Sequence, residues 1–277
     1  MMTDGVGPVM IDAHQHFWTA DYPWLPAELR RDFTPADLRP HLTAAGVTRT
    51  VLVEAGLCTE AETVRFLALA AATPEIAAVV GWASLTDPDL AATVAAHRRR
   101  TGGPLLAGIR DQVQAGPDDL LDQAAVRVGL ATVADAGLVN ELVVRGSQLP
   151  SVARAAAALP EAVFVLDHLG KPPIATGELK RWRDRITEVA AQPNVTAKLS
   201  GLVTEAGPGW TAEELRPFVE TALELFGPDR LMFGSDWPVC LLTATYEQVV
   251  AVPTALLGGR PDGIFGRNAA RVYRLEL

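Results

Sequence analysis

Two histidines one residue apart, His14-x-His16, are the first sign of chemistry in this chain. Side chains alternate with a period of two along a strand, so both imidazoles face one side, placed to ligate a metal or to hydrogen-bond a bound carbonyl oxygen. A third imidazole, His168, follows Asp167 in Val165-Leu-Asp-His-Leu-Gly-Lys-Pro172, where an apolar run delivers polar groups and Gly and Pro then turn the chain away. Asp236 ends another apolar run in Phe233-Gly-Ser-Asp-Trp-Pro238. An ionised carboxylate cannot be buried there alone, so it must meet a cation, a metal, a histidine or a substrate water, or cap the following helix. The three imidazoles could equally be core histidines satisfied by carboxylates. Lys198 inside Val195-Thr-Ala-Lys-Leu199 and Arg110 at the end of a further apolar run each need a partner to offset desolvation. That partner is a carboxylate such as Glu54, Glu141 or Asp111, or else the substrate. Trp18, Trp24, Trp82 and Trp237 flank the same positions and could wall a small polar ligand or fill the rim.

All of these residues stand where apolar segments stop. Eight short apolar or β-branched runs recur: Val9 to Ala13, Thr50 to Glu54, Ala78 to Ala83, Leu106 to Arg110, Leu138 to Val144, Ala162 to Asp167, Val195 to Leu199 and Arg230 to Gly234. Each is followed by an Ala/Leu/Glu/Arg-rich stretch of helical composition, which predicts strands buried on both faces of a parallel sheet. The seven steps from His14 to Asp236 average about 32 residues, the size of a βα unit. Helix starts are predicted at Thr34-Pro35 with Asp37, at Asp87-Pro88, and at Thr211 with Glu214. Ala153 to Ala158 reads as part of a helix, and Gly258-Gly259 with Pro261 as a late loop. A parallel barrel gathers the C-terminal ends of its strands at one mouth. The ring predicted there is Asp12, His14, His16, Glu54, Ser84, Arg110, Asp111, Gln112, Asn140, Glu141, Asp167, His168, Lys198, Ser200, Ser235 and Asp236, with three of the five histidines. The other two, His41 and His97, are expected on solvated helix faces.

Composition narrows the function classes. With 277 residues, 49% of them apolar and 21% charged, the chain can bury a sizeable core. A formal charge of −9 argues against nucleic acid or an anionic membrane as partner. Cys58 and Cys240 are expected to be free thiols in a reducing compartment. The first residues carry no basic, then apolar, leader pattern, and no run of about 18 apolar residues occurs, so the cytoplasm is the expected address. No G-x-G-x-x-G turn follows the first run and no G-x-S-x-G elbow occurs, which disfavours a dinucleotide fold and a serine hydrolase.

Ile11-Asp-Ala-His-Gln-His-Phe-Trp18, Val80-Gly-Trp82, Gly108-Ile-Arg110, Leu166-Asp-His-Leu-Gly-Lys-Pro172, Lys198-Leu-Ser-Gly201 and Met232-Phe-Gly-Ser-Asp-Trp-Pro-Val239 resemble, in order, the motifs of the sugar-lactonase branch of the amidohydrolase superfamily. The resemblance runs from about Ile11 to the C-terminus. It implies an α/β fold, a distorted (β/α)8 TIM barrel forming one domain over residues 1–277. The implied reaction is water attack on the ring ester of an aldonolactone such as L-fuconolactone or L-rhamnonolactone. Asp236 is then the general base. His14, His16 and His168 surround the lactone carbonyl or, together with Asp236, one divalent cation, zinc or manganese; the branch also includes members that work without a metal. Arg110, Lys198, Glu54, Trp18, Trp24 and Trp82 are the expected substrate contacts. The expected partner is a small-molecule sugar lactone, with no nucleic acid and no membrane, and a homo-oligomer is left open. Three positions depart from the branch pattern: Asp111 stands where histidine is frequent, Asn140-Glu141 where an aromatic-Asp pair is, and Glu54 where glutamine is. These predict a more acidic pocket. A metal-dependent decarboxylase, an amide hydrolase on the same barrel, and a catalytically silent ligand-binding barrel are the alternatives.

Overall fold

Strands that are apolar on both faces need cover on both. In the computed structural model, which describes residues 9–276, one parallel barrel with surrounding helices provides it. Eight strands pair in chain order: β1 Met10–Gln15, β2 Val47–Val53, β3 Ile76–Gly81, β4 Leu106–Asp111, β5 Val139–Leu142, β6 Phe164–Leu166, β7 Val195–Leu199 and β8 Leu231–Phe233. Every pairing is parallel. The helices are α1 Pro35–Ala45, α2 Glu60–Ala71, α3 Leu90–Arg98, α4 Ala124–Asp135, α5 Leu149–Ala158, α6 Leu179–Ala190, α7 Leu202–Ala206, α8 Ala212–Phe226, α9 Tyr246–Leu256 and α10 Asn268–Tyr273. This is the (β/α)8 barrel anticipated from the sequence.

All eight anticipated strands are present, several of them shorter. The runs starting at Leu138 and Ala162 pair only over Val139–Leu142 and Phe164–Leu166; Val143-Val144 and Asp167 lie past the ends of the ladder. Thr34 and Thr211 start α1 and α8 as anticipated. The Asp37 carboxylate accepts the Thr34 N–H at 2.9 Å, and Glu214 accepts that of Thr211 at 2.7 Å. The start anticipated at Asp87-Pro88 is displaced to Leu90, since the Asp87 carboxylate first turns the chain by accepting the Asp89 N–H at 2.8 Å. His41 is exposed and paired with Glu247. His97, anticipated in solvent, is instead 2% exposed under α3, and burial lowers its basicity.

Inside the barrel, Ile11, Ala13, Val51, Val53, Ala78, Val80, Val139, Val165 and Met232 form an apolar plug, capped by Val272 and Tyr273 of α10 at the N-terminal end. A second core joins the outer strand faces to the helices. Among the described residues no helix is long and apolar enough to cross a membrane. Cys58 and Cys240 are both free thiols. Residues 1–8, on which part of the leader expectation falls, lie outside the described residues.

The seam between β8 and β1 closes beside the future site. Asp236 N–H donates to His14 O at 2.8 Å and His16 N–H to Trp237 O at 2.7 Å. The buried Asp12 carboxylate accepts Ser235 N–H at 2.8 Å, His14 N–H at 3.1 Å and the Tyr246 hydroxyl at 3.1 Å. Gly234 is required here: a Cβ on it would lie 2.6 Å from His14 Cβ and 3.2 Å from Ser200 Cβ. Gly234→Ala is therefore expected to lower stability by about 1–3 kcal/mol, the usual cost of overpacking, in urea unfolding. An unchanged midpoint and slope would contradict this packing.

Candidate active site

The period of two that stacks the apolar plug also builds the layer above it. Two residues beyond Val139, Val165 and Thr196 come Glu141, Asp167 and Lys198, and two beyond Gly108 comes Arg110. Lys198 Nζ lies 2.6 Å from Glu141 Oε1, 3.2 Å from Asp167 Oδ1 and 3.0 Å from His14 Nδ1. Arg110 donates to Glu54 Oε1 at 2.6 Å, to the Glu54 carbonyl at 2.7 Å and to Asp167 Oδ2 at 2.7 Å. Tyr273, reaching up through the plug, donates its hydroxyl to Glu141 Oε2 at 2.5 Å. Burial and the neighbouring Asp167 charge push the Glu141 carboxyl up to about 7, while Lys198, His14 and Arg110 outweigh burial at Asp167 and hold it well below the usual carboxylate range.

On this layer stand the groups read as catalytic, and they converge. His14 Nε2 is 3.1 Å from His16 Nε2; Asp236 Oδ1 is 3.4 Å from His16 Nε2, 3.7 Å from His14 Nε2 and 3.9 Å from His168 Nε2. His16 Nδ1 lies 2.9 Å from the Val53 carbonyl, an acceptor, so that nitrogen carries the proton and the Nε2 lone pair faces the centre. His168 Nδ1 lies 2.8 Å from Ser200 Oγ. The turn after β6 holds His168 at φ 51° and Leu169 at 51°, and Asp236 sits at φ 58°. Such left-handed geometry in non-glycine residues marks local strain at the site. Gly201, at φ 66°, leaves room for the His168 ring, since a Cβ would stand 2.7 Å from its Nδ1. Burial depresses the basicity of His14 strongly and that of His168 to about 4, so both are neutral at pH 7. Asp236 is held far below the usual carboxylate range despite burial by the imidazoles around it, His168 foremost.

The donor set fits a divalent cation. Four ligands at about 2.1 Å in tetrahedral array stand about 3.4 Å apart; the His14–His16 pair and the three distances to Asp236 run from 3.1 to 3.9 Å, and His14, His168 and Asp236 offer atoms within 4.8 Å of one another. The inward lone pair of His16 and the ionised Asp236 have the right chemistry. His14, His16, His168 and Asp236 are the residues that could hold it.

A cavity of about 450 Å³ opens above them, bordered by His16, His168, Asp236, Arg110 and Trp24 among the residues singled out from sequence. A larger one, about 530 Å³, lies at the opposite end of the barrel around Tyr273 and Arg274 and contains none of these groups. The other anticipated substrate contacts do not border the 450 Å³ cavity. Lys198 and Glu54 are fully buried in the ion layer, Trp18 is 2% exposed and donates to the Leu29 carbonyl, and the Trp82 indole donates to Asp111. Nor do the departures acidify the cavity: Asp111 also holds the Leu85 N–H, Asn140 faces outward to the Leu130 carbonyl, and Glu141 is spent on Lys198 and Tyr273. Gln114, Lys171, Thr204 and Glu205 line the cavity without having been chosen. Lys171 was visible in the Leu-Gly-Lys-Pro motif; Thr204 and Glu205 lie in the short α7, where no sequence signal marks them.

The chain matches the amidohydrolase family over residues 11–275. It is 41% identical to an L-fucono-1,5-lactonase of Burkholderia multivorans, covering 98% of this chain and 97% of that protein. It is 38% identical to an L-fucono-1,5-lactonase of Burkholderia ambifaria over 96% of each. A crystal structure of an amidohydrolase from Burkholderia multivorans with bound zinc superposes with a TM-score of 0.89 at 40% identity, covering 97% of this chain and 100% of that one.

The depressed His168 has a consequence for stability. Unfolded, its imidazole takes up a proton near pH 6.5, whereas the folded group resists until about 4. Its contribution is thus complete above pH 6.5 and lost as pH falls toward 4. In urea unfolding of chelated protein, wild type should lose about 3 kcal/mol relative to His168→Asn between pH 7 and pH 4. Parallel pH profiles for the two proteins would refute it.

Proposed function

This chain belongs to the amidohydrolase family, and on that premise we propose that it hydrolyses the ring ester of a sugar lactone of the L-fucono-1,5-lactone type. The observation that carries this reading is the convergence of His14, His16, His168 and the ionised Asp236, with all but the buried His14 bordering a cavity large enough for a single sugar ring. The full-length likeness to L-fucono-1,5-lactonases supports the substrate class.

In this reading the lactone lies with its carbonyl over Asp236 and His168. Asp236 takes a proton from water as the water oxygen bonds to the carbonyl carbon. When the tetrahedral intermediate collapses, the ring C–O bond breaks and Asp236 returns that proton to the departing alkoxide, giving the open hydroxy acid. Depressed as it is, Asp236 stays ionised, and so able to accept a proton, throughout the working range. Arg110, anchored from behind by Glu54 and Asp167, presents a fixed positive field to the developing oxyanion. A divalent cation, zinc or manganese, held by His14, His16, His168 and Asp236 would supply Lewis-acid polarisation of the ester carbonyl.

Asp236→Asn should lower kcat for lactone opening by about 10²- to 10⁴-fold, the usual contribution of a general base, with a cooperative melt retained. Wild-type turnover in the folded variant would reject the role. Exhaustive chelation should abolish most activity, and zinc or manganese should restore it. Full activity in protein shown by elemental analysis to be metal-free would remove the cation from the site.

A further inference from the structure

A relay of side chains runs up one wall of the cavity and ends at Lys171. Lys171 Nζ donates to Gln114 Oε1 at 2.5 Å, Gln114 Nε2 donates to Gln112 Oε1 at 3.0 Å, and Gln112 Nε2 donates to Glu54 Oε1 at 2.5 Å. The Glu54 carboxylate accepts only, so it fixes the direction of both amides: each oxygen points outward along the relay and each NH2 inward. Lys171 needs just one of its three N–H groups for Gln114. The unused donors belong to groups that border the cavity. Glu205 borders the same cavity from α7, where burial raises its carboxyl and the Lys171 charge opposes that rise.

The other cation of the cavity is already committed. Arg110 spends three of its five N–H groups, one on each nitrogen, on Glu54 and Asp167 and is only 4% exposed, so it offers little of its fork to grip a substrate carboxylate or sulfonate in bidentate fashion. A lone ammonium facing a carboxyl group, beside two oriented amides, suits hydroxyl oxygens instead.

Resting on the lactonase reading, we propose that Lys171, oriented by Gln114, is the specificity-determining residue that reads the ring hydroxyls of an uncharged polyhydroxylated lactone, while Asp236 and Glu205 on the same cavity disfavour lactones bearing their own carboxylate. A site built around a polar contact discriminates strongly against analogues that lack it. The substrate is accordingly neutral until ring opening creates its carboxylate.

The test compares kcat/KM for L-fucono-1,5-lactone, δ-valerolactone and 2-pyrone-4,6-dicarboxylate, with wild type, Lys171→Met, Lys171→Arg and Gln114→Leu. Wild type should favour the fuconolactone over both others. Lys171→Met should cut the fuconolactone-to-valerolactone ratio at least tenfold, mainly through KM for the fuconolactone, and Lys171→Arg should recover it to within about threefold. Gln114→Leu should move the ratio the same way as Lys171→Met and carries the test if that variant fails to fold. An unchanged ratio in both variants, or efficient hydrolysis of the dicarboxylate by wild type, overturns the assignment and leaves the lactonase reading standing. Absence of hydrolysis of all three by metal-loaded wild type overturns both.

Discussion

Two cations and three carboxylates sealed inside the barrel govern the groups above them. Each of Arg110, Lys198, Glu54, Glu141 and Asp167 is nearly or fully buried, and a lone charge there would cost several kcal/mol. Mutual satisfaction makes the layer tolerable. Lys198 donates to Glu141 and pairs with Asp167 at 3.2 Å, and the Arg110 fork spans two carboxylates from the ends of different strands. An apolar layer of equal volume would often hold a fold as well or better, so stability does not explain these charges. What they do is clamp β2, β4, β5, β6 and β7 to common points and pin the His14 ring, which cannot rotate without breaking its contacts with Lys198 and Asp167.

The other clamp is the seam. Asp12 gathers the backbone N–H groups of His14 and Ser235, and through them β1 and β8 present His14, His16 and Asp236 to one another. Residues 222 apart in sequence thus share one hydrogen-bonded corner, and their separations are set by backbone contacts. The cost appears as positive φ at Asp236 and His168 and as glycine at 201 and 234, where a side chain would strike the His168 ring and the His14 Cβ respectively.

Much of this was legible in the sequence because it follows from period and burial. Eight apolar runs at a βα interval specify the barrel, and a polar residue ending each run specifies the mouth. The pattern could not say how high in the mouth each polar residue sits. Lys198 and Glu54 stood near the ends of their runs as Arg110 did, yet only Arg110 borders the cavity, because the Lys198 ammonium turns to Glu141 and Asp167 and Glu54 turns inward to serve Arg110 and Gln112. Trp18 and Trp82 went astray for a related reason: an indole near a strand end satisfies its N–H on whatever acceptor the rim offers, here the Leu29 carbonyl and Asp111. His97 lies on a helix whose buried face cannot be told from its exposed one by a single polar residue. Thr204 and Glu205 reach the cavity from a helix of five residues, too short to show any period.

The acidic departures from the branch pattern show why residue type alone misleads about a field. Counting carboxylates at strand ends predicts an acidic pocket, but Asp111 is consumed by a loop, Asn140 faces a helix, and Glu141 lies below His14 with Lys198 and Tyr273 as partners. Burial and Asp167 also push the Glu141 carboxyl up to about 7, so the layer can shed a negative charge when its two cations do not balance three carboxylates. The charge that a substrate meets is therefore set by Asp236, Lys171 and Glu205, with Arg110 held from behind. Chemistry and selection are divided by depth: an ion layer that meets the cavity only through Arg110 fixes the imidazoles, and a sparsely charged wall above it reads the ring.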